Sequence, residues 1–177
     1  MGQLGWHIDL GRCTGCHSCE ISCKTENNTP LGVNWREVLT QESGQYPNPK
    51  RLFVTMSCMH CEKPSCIKAC PEDAITKRAS DGIVLIDQDK CVGCKRCTWA
   101  CPYGAPRFNA ETKKVEKCTF CIHRLDAGLK PACVTTCVGD ALHFGEASQM
   151  AALPGSHKEI DGLADVSLTK PNAWFTE

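Results

Sequence analysis

Apolar positions fall in short bursts along this chain, separated by polar and turn-rich stretches. The first burst, Gly5-Trp6-His7-Ile8-Asp9-Leu10, alternates loosely and predicts a short strand. His17 to about Glu26 predicts a helix. Asn27 to Tyr46 is polar and turn-rich, with Trp35 and Val38 as its anchors, and Tyr46-Pro47-Asn48-Pro49 reads as a turn or extended stretch. Leu52-Phe53-Val54-Thr55-Met56 predicts a second strand. Ala74-Ile75-Thr76 and Ile83-Val84-Leu85-Ile86-Asp87 flank Asp81-Gly82, a hairpin signal. After Pro102 the chain turns into another short strand ending near Phe108. Thr119 to Ala127 predicts a helix stopped by Gly128, and Pro131 suits the first turn of the next one. Ala141-Leu142-His143-Phe144 predicts a last strand, and from Gly145 onward the tail is polar with scattered apolar residues. The expected class is α+β, with short strands and helices joined by long loops.

This pattern limits the core. The cleanest apolar run, Ile83 to Ile86, is far below the roughly 20 residues that cross a bilayer. No span is expected, so any membrane link comes through a partner. Aromatics are few, with 4 Trp, 2 Tyr and 5 Phe, so the apolar core is thin. Bound metal is then expected to supply much of the folding free energy.

Composition supplies the metal ligands. Sixteen of the 177 residues are cysteine, an extreme share that in a short secreted chain suggests a disulfide scaffold. No basic n-region, apolar h-region or twin arginine opens the chain, so no secretory leader is expected. Lys plus Arg equals Asp plus Glu, at 20 each, which gives no electrostatic footprint for nucleic acid or an acidic membrane surface.

The spacing is more informative than the count. Cys91, Cys94, Cys97 and Cys101-Pro102 read C-x2-C-x2-C-x3-C-P, the run by which bacterial ferredoxins hold cubane clusters. Cys13, Cys16, Cys19 and Cys23 repeat the cysteine spacing. Cys58, Cys61, Cys66 and Cys70-Pro71 carry a longer middle gap, C-x2-C-x4-C-x3-C-P. Cys118, Cys121, Cys133 and Cys137 are spaced C-x2-C-x11-C-x3-C. The four groups use every cysteine.

In two-cluster ferredoxins the fourth cysteine of each run ligates the other cluster. Groups two and three are adjacent and joined by the hairpin, so they make one unit. One cluster takes Cys58, Cys61, Cys66 and Cys101; its mate takes Cys91, Cys94, Cys97 and Cys70. By elimination, groups one and four make a second unit around the first. That assigns Cys13, Cys16, Cys19 and Cys137 to one cluster, and Cys118, Cys121, Cys133 and Cys23 to the other. Residues 1–57 and 102–146 form the expected outer unit, 58–101 the inserted inner unit, and 147–177 a docking tail. Both units are expected to be ferredoxin-like, each with two [4Fe-4S] clusters.

Four such clusters bring the holoprotein to about −8 in charge. Lys24, Lys68, Lys95, Arg96, Lys117 and Arg124 stand near the cysteines and partly offset this, or are ordinary solvated charges. Zinc needs only two C-x2-C pairs and does not require four ligands crowded on one loop and helix. Among the histidines, His17 and His60 lie inside cluster loops, within reach of hydrogen bonds to cluster sulfur or as simply packed side chains. With all thiols committed, no nucleophile pattern remains, and there is no phosphate loop or dinucleotide fingerprint.

The combined motif resembles the four-cluster beta subunits of the dimethyl sulfoxide reductase family of molybdopterin oxidoreductases. The residues that carry it are Ile8-Asp9 before Cys13-Thr14-Gly15-Cys16, Cys58-Met59-His60-Cys61, Cys101-Pro102-Tyr103-Gly104-Ala105-Pro106, Lys117-Cys118-Thr119-Phe120-Cys121 and Pro131-Ala132-Cys133. Thr169-Lys170-Pro171-Asn172 looks weakly like the end segment of such subunits. The resemblance implies the same pairing, including the outer pair. It also implies a catalytic partner with a molybdenum or tungsten bis-pterin cofactor and a membrane anchor with a quinone site. The chain itself is then expected to be non-catalytic. Export with a twin-arginine signal on the catalytic subunit alone implies an extracytoplasmic location. Relatives that replace a third-group ligand by Trp hold a three-iron cluster; Cys94 and Cys97 are both present here, so four cubanes are expected. Val138 stands where relatives often have Pro after the last cysteine, which alters a turn and no ligand.

Two other functions compete with this one. A stand-alone polyferredoxin or hydrogenase-associated carrier would need neither the x11 gap nor a docking tail. A disulfide or zinc scaffold would be colourless.

Overall fold

The computed structural model describes residues 2–177; Met1, the first residue of the expected outer unit, lies outside them. In chain order the elements are β1 (Leu4–Asp9), α1 (Ser18–Asn27), β2 (Arg36–Gln45), β3 (Asn48–Ser57), α2 (Ser65–Ala69), β4 (Ile75–Lys77), β5 (Val84–Ile86), α3 (Arg96–Ala100), β6 (Arg107–Asn109), β7 (Lys114–Glu116), α4 (Ile122–Asp126), α5 (Ala132–Thr135), β8 (Leu142–Glu146), α6 (Ala147–Ala151) and β9 (Ala173–Thr176). This is α+β in short pieces. No helix among the described residues is long and apolar enough to cross a membrane.

The central sheet runs β8-β1-β9, antiparallel on one side of β1 and parallel on the other. Successive side chains of a strand face opposite ways, and here both faces are covered. Trp6, His7 and Ile8 are therefore all buried. Trp6 stacks on Phe120 with ring centroids 3.9 Å apart, and its Nε1–H donates to the Cys58 carbonyl at 3.1 Å. One indole thus joins β1 to the cysteine loops of groups two and four.

Two strands differ from the sequence pattern. The stretch Asn27–Tyr46, expected as polar turns, holds β2, which pairs residue for residue with β3 from Arg36↔Ser57 to Gln45↔Asn48. Beyond Val38 most of the hairpin is exposed, so there is no buried face to impose alternation. Ala141–Phe144 is likewise not the last strand. The tail returns as β9, with Trp174 and Phe175 buried. Just before β9, Glu62 N–H donates to the Lys170 carbonyl at 2.8 Å and Lys63 N–H to Thr169 at 2.9 Å. Asn172 Nδ2 donates to the His60 carbonyl at 2.8 Å. The tail segment Thr169–Asn172 therefore clamps the second cysteine loop.

The β4–β5 hairpin forms as expected, in register Ile75↔Ile86. A second small hairpin, β6–β7, pairs Phe108 with Val115; β7 has too few apolar residues to register in the pattern. Ile75, Val84 and Val115 form a satellite core with Cys66 and Cys97, separate from the main core around Trp6, Ile8, Val54, Phe120, Leu142 and Phe175. Both cores include cysteines.

Candidate metal centres

Each cysteine loop turns at the same point. The residue before the second cysteine is left-handed: Gly15 at φ 66°, His60 at 42°, Gly93 at 67° and Phe120 at 61°. In groups one and three the residue after that cysteine is left-handed as well, His17 at 60° and Lys95 at 62°. Changes of backbone hand create concave nests of N–H groups that suit anions, iron–sulfur clusters among them. Backbone donors do reach the sulfurs: Phe120 N–H to Cys118 Sγ at 3.4 Å and Ala141 N–H to Cys137 Sγ at 3.2 Å.

Three cavities of similar size each gather four cysteines. Cys13, Cys16, Cys19 and Cys137 line about 350 Å³ of space free of protein atoms. Cys58, Cys61, Cys66 and Cys101 line about 370 Å³, and Cys70, Cys91, Cys94 and Cys97 about 320 Å³. In each, three cysteines come from one group and the last from another. Cys23, Cys118, Cys121 and Cys133 remain; they are near enough to act on one another electrostatically, as Cys19 and Cys58 also act on them, and α1, which carries Cys23, packs on α5, which carries Cys133. Helix packing accounts for the exchange. α1 packs on α5, and α2 on α3, so the last cysteine of each group is delivered to its partner's loop.

Among the described residues, no three metal-binding side chains converge on a single-ion position. The sulfurs surround a space instead. That suits a cube of four irons, each taking one thiolate. Burial pushes the thiols up, Cys23 and Cys66 to about 12 and Cys61 and Cys97 to about 11. At neutral pH these free thiols keep their protons, which iron would have to displace on binding.

The sites adjoin one another in series. Cys19 of the Cys13 cavity is influenced by Cys133, and Cys118 by Cys58 of the next cavity. Helix α2 packed on α3 then joins the Cys58 cavity to the Cys91 cavity. Cys16 in the first of these sites and Cys94 in the last are exposed.

Of the two histidines in the loops, His17 is half-exposed and hydrogen-bonds Glu20 Oε2 at 2.9 Å. His60 is fully buried. Its Nδ1 accepts from Val84 N–H at 3.0 Å, which leaves the proton on Nε2, and Nε2 has no partner among the described residues. Burial, then Lys117, holds His60 neutral, well below its ordinary pKa. Lys117 is itself buried, lines the Cys58 cavity and donates to the Cys118 carbonyl at 3.1 Å.

Sequence reasoning missed two residues at these sites. Thr55 lines the Cys13 cavity, with its Oγ1 3.3 Å from Cys19 Sγ. Arg36 is buried behind it. Both stand far from any cysteine of that cavity in sequence, and only the β2–β3 register brings them to the sulfurs.

Residues 49–147 match the 4Fe-4S dicluster domain family. The chain is similar to the B subunit of the tetrathionate reductase of Salmonella typhimurium, 42% identical over 95% of this chain and 70% of that protein. It is also similar to the B subunit of the anaerobic dimethyl sulfoxide reductase of Escherichia coli, 38% identical over 96% of this chain and 86% of the relative. The B subunit of the sulfite dehydrogenase of Allochromatium vinosum is 43% identical over 82% of this chain and 70% of its own length.

Proposed function

Because this protein belongs to the iron–sulfur B subunits of the dimethyl sulfoxide reductase family of molybdoenzymes, and so transfers electrons without being catalytic, we propose that it relays them through four [4Fe-4S] clusters. The relay runs between a membrane anchor subunit with a quinone site and a molybdopterin catalytic subunit. The observation that carries this reading is that twelve of the sixteen cysteines line three cavities four at a time, which leaves Cys23, Cys118, Cys121 and Cys133 as the fourth set.

One cluster is held by Cys13, Cys16, Cys19 and Cys137, and the next by Cys23, Cys118, Cys121 and Cys133. The third is held by Cys58, Cys61, Cys66 and Cys101, and the fourth by Cys70, Cys91, Cys94 and Cys97. Bound there, the clusters accept and pass on single electrons. The protein's own residues orient the clusters, exclude water and donate N–H groups to the sulfurs, which sets their potentials. Residues 58–101 act as the inner unit and residues 1–57 with 102–146 as the outer one. In the tail, α6, Ile160 and Leu163 pack on the rest of the chain, and exposed side chains, Leu168 among them, face outward for a partner. The sites with exposed cysteines, at Cys16 and Cys94, are the entry and exit for electrons. Apolar side chains stand exposed near both, Ile21 and Val138 by the first and Val92 and Trp99 by the second. We place the complex on the extracytoplasmic face, by export with its catalytic subunit.

Co-expression with the genes beside its own tests this. The brown protein is expected to copurify with a molybdopterin subunit and, in detergent, with a membrane subunit. A protein that runs alone as a monomer from that expression would overturn the proposal in favour of a free carrier.

A further inference from the structure

Arg36 is a cation inside the protein, and no carboxylate among the described residues forms an ion pair with it. It is 2 % exposed. Its Nη1 donates to Thr55 Oγ1 at 3.0 Å and its Nη2 to Ser57 Oγ at 2.9 Å, and its guanidinium lies 4.7 Å from the centre of the Trp6 ring. A buried, uncompensated charge is costly, so a counter-charge is required. Burial works against the Arg36 charge, and the sulfurs of Cys133, Cys118, Cys19 and Cys23, once metal-bound thiolates, supply negative charge on the other side of the balance. Those four sulfurs belong to two neighbouring cluster sites.

The geometry reaches one of those sites more directly. Arginine has donors only, so Thr55 Oγ1 must accept from Arg36. The one hydroxyl hydrogen of Thr55 is then left to donate elsewhere. Cys19 Sγ, an acceptor once it is a metal-bound thiolate, lies 3.3 Å from that oxygen. Thr55 is also 2 % exposed, so water does not compete for either bond.

We infer that Arg36 and Thr55 form a potential-setting relay, in which the buried guanidinium polarises the Thr55 hydroxyl against Cys19 and raises the reduction potential of the cluster in that cavity. Arg36 acts as well on the neighbouring cluster, directly through its charge, since Cys133 and Cys118 influence it ahead of Cys19. An added electron makes a cluster more negative, so a nearby positive charge and a hydrogen bond to its sulfur both favour the reduced form. Both are positioning residues, since neither is a ligand. This inference rests on the ligand assignment proposed above.

The test is a redox titration of the cluster-loaded protein, monitored by electron paramagnetic resonance, with iron counted in parallel. Arg36→Gln is expected to lower two of the four midpoints. The larger shift is about tenfold in the oxidised-to-reduced ratio, or about 59 mV for a one-electron couple. Thr55→Val, which keeps shape and removes the hydroxyl, is expected to lower one midpoint by about threefold in that ratio, and Arg36→Lys to restore most of the loss. Full iron content with all four midpoints within about twofold of the parent in both Arg36→Gln and Thr55→Val would overturn the relay and leave the ligand assignment standing. A parent protein without four clusters would overturn both. If Arg36→Gln and Arg36→Met lose the outer clusters while Arg36→Lys keeps them, the charge requirement is supported. If Arg36→Lys also loses them, Arg36 is a packing residue and the inference fails.

Discussion

The ligand exchange can be tested one side chain at a time. Cys70 follows α2 in the chain, directly after the second group's loop, yet it lines the cavity of Cys91, Cys94 and Cys97. Cys70→Ser is therefore expected to perturb the cluster of those three residues, seen by electron paramagnetic resonance. Loss of the cluster at Cys58, Cys61 and Cys66 instead would refute the exchange. A second residue-scale test lies at Gly93. Its φ is 67°, and an added Cβ would overlap the Lys113 carbonyl; Gly104, at φ 61°, would meet nothing within 4 Å. Both alanine substitutions carry the left-handed penalty of about 1–2 kcal/mol. Only Gly93→Ala also forces the turn between β6 and β7 away from the loop. It is expected to lower iron content markedly, while Gly104→Ala keeps it; equal iron in the two would contradict the account of the loop. The cysteines that share each cavity were legible because three of the four come from one local group. Arg36 and Thr55 were not, because their role arises from contacts between residues distant in sequence.

Elements were legible where burial imposed a period. β1 is covered on both faces, and β4–β5 packs its Ile75 and Val84 into the satellite core, so each left an apolar signature. β2 left none because its outer half faces solvent, and β9 was hidden in a tail whose average character is polar. Yet β9 matters to the sites. Phe175 is 1 % exposed in the main core, and Phe175→Ala is expected to cost about 3–5 kcal/mol. The measurable result is a lower temperature for thermal loss of the cluster absorbance; an unchanged temperature would show that β9 is dispensable. Removing the chain from Thr169 onward also releases the clamp on the second cysteine loop. The expected first loss is the cluster at Cys58, Cys61, Cys66 and Cys101, where Thr169 also lines the cavity.

At the scale of the whole molecule, the two cores are small and both contain cysteines. The helices α2, α3, α4 and α5 beside the cysteine loops run only four or five residues, too short to hold without packing. Chelating the iron is therefore expected to abolish cooperative thermal unfolding as followed by circular dichroism. A cooperative transition in the iron-free protein would show that the apolar core suffices. The pairing of the second group with the third, which α2 meeting α3 matches, was read from their adjacency in the sequence. That the two middle sites adjoin was not legible, because it depends on Cys118 coming near Cys58 across a long gap.

The central claim is that four cubane clusters occupy this one chain. The most direct test is the iron and acid-labile sulfide content of the anaerobically purified protein. The account requires about sixteen of each per chain. A colourless protein, a content of zinc in place of iron, or iron near half that value would contradict it.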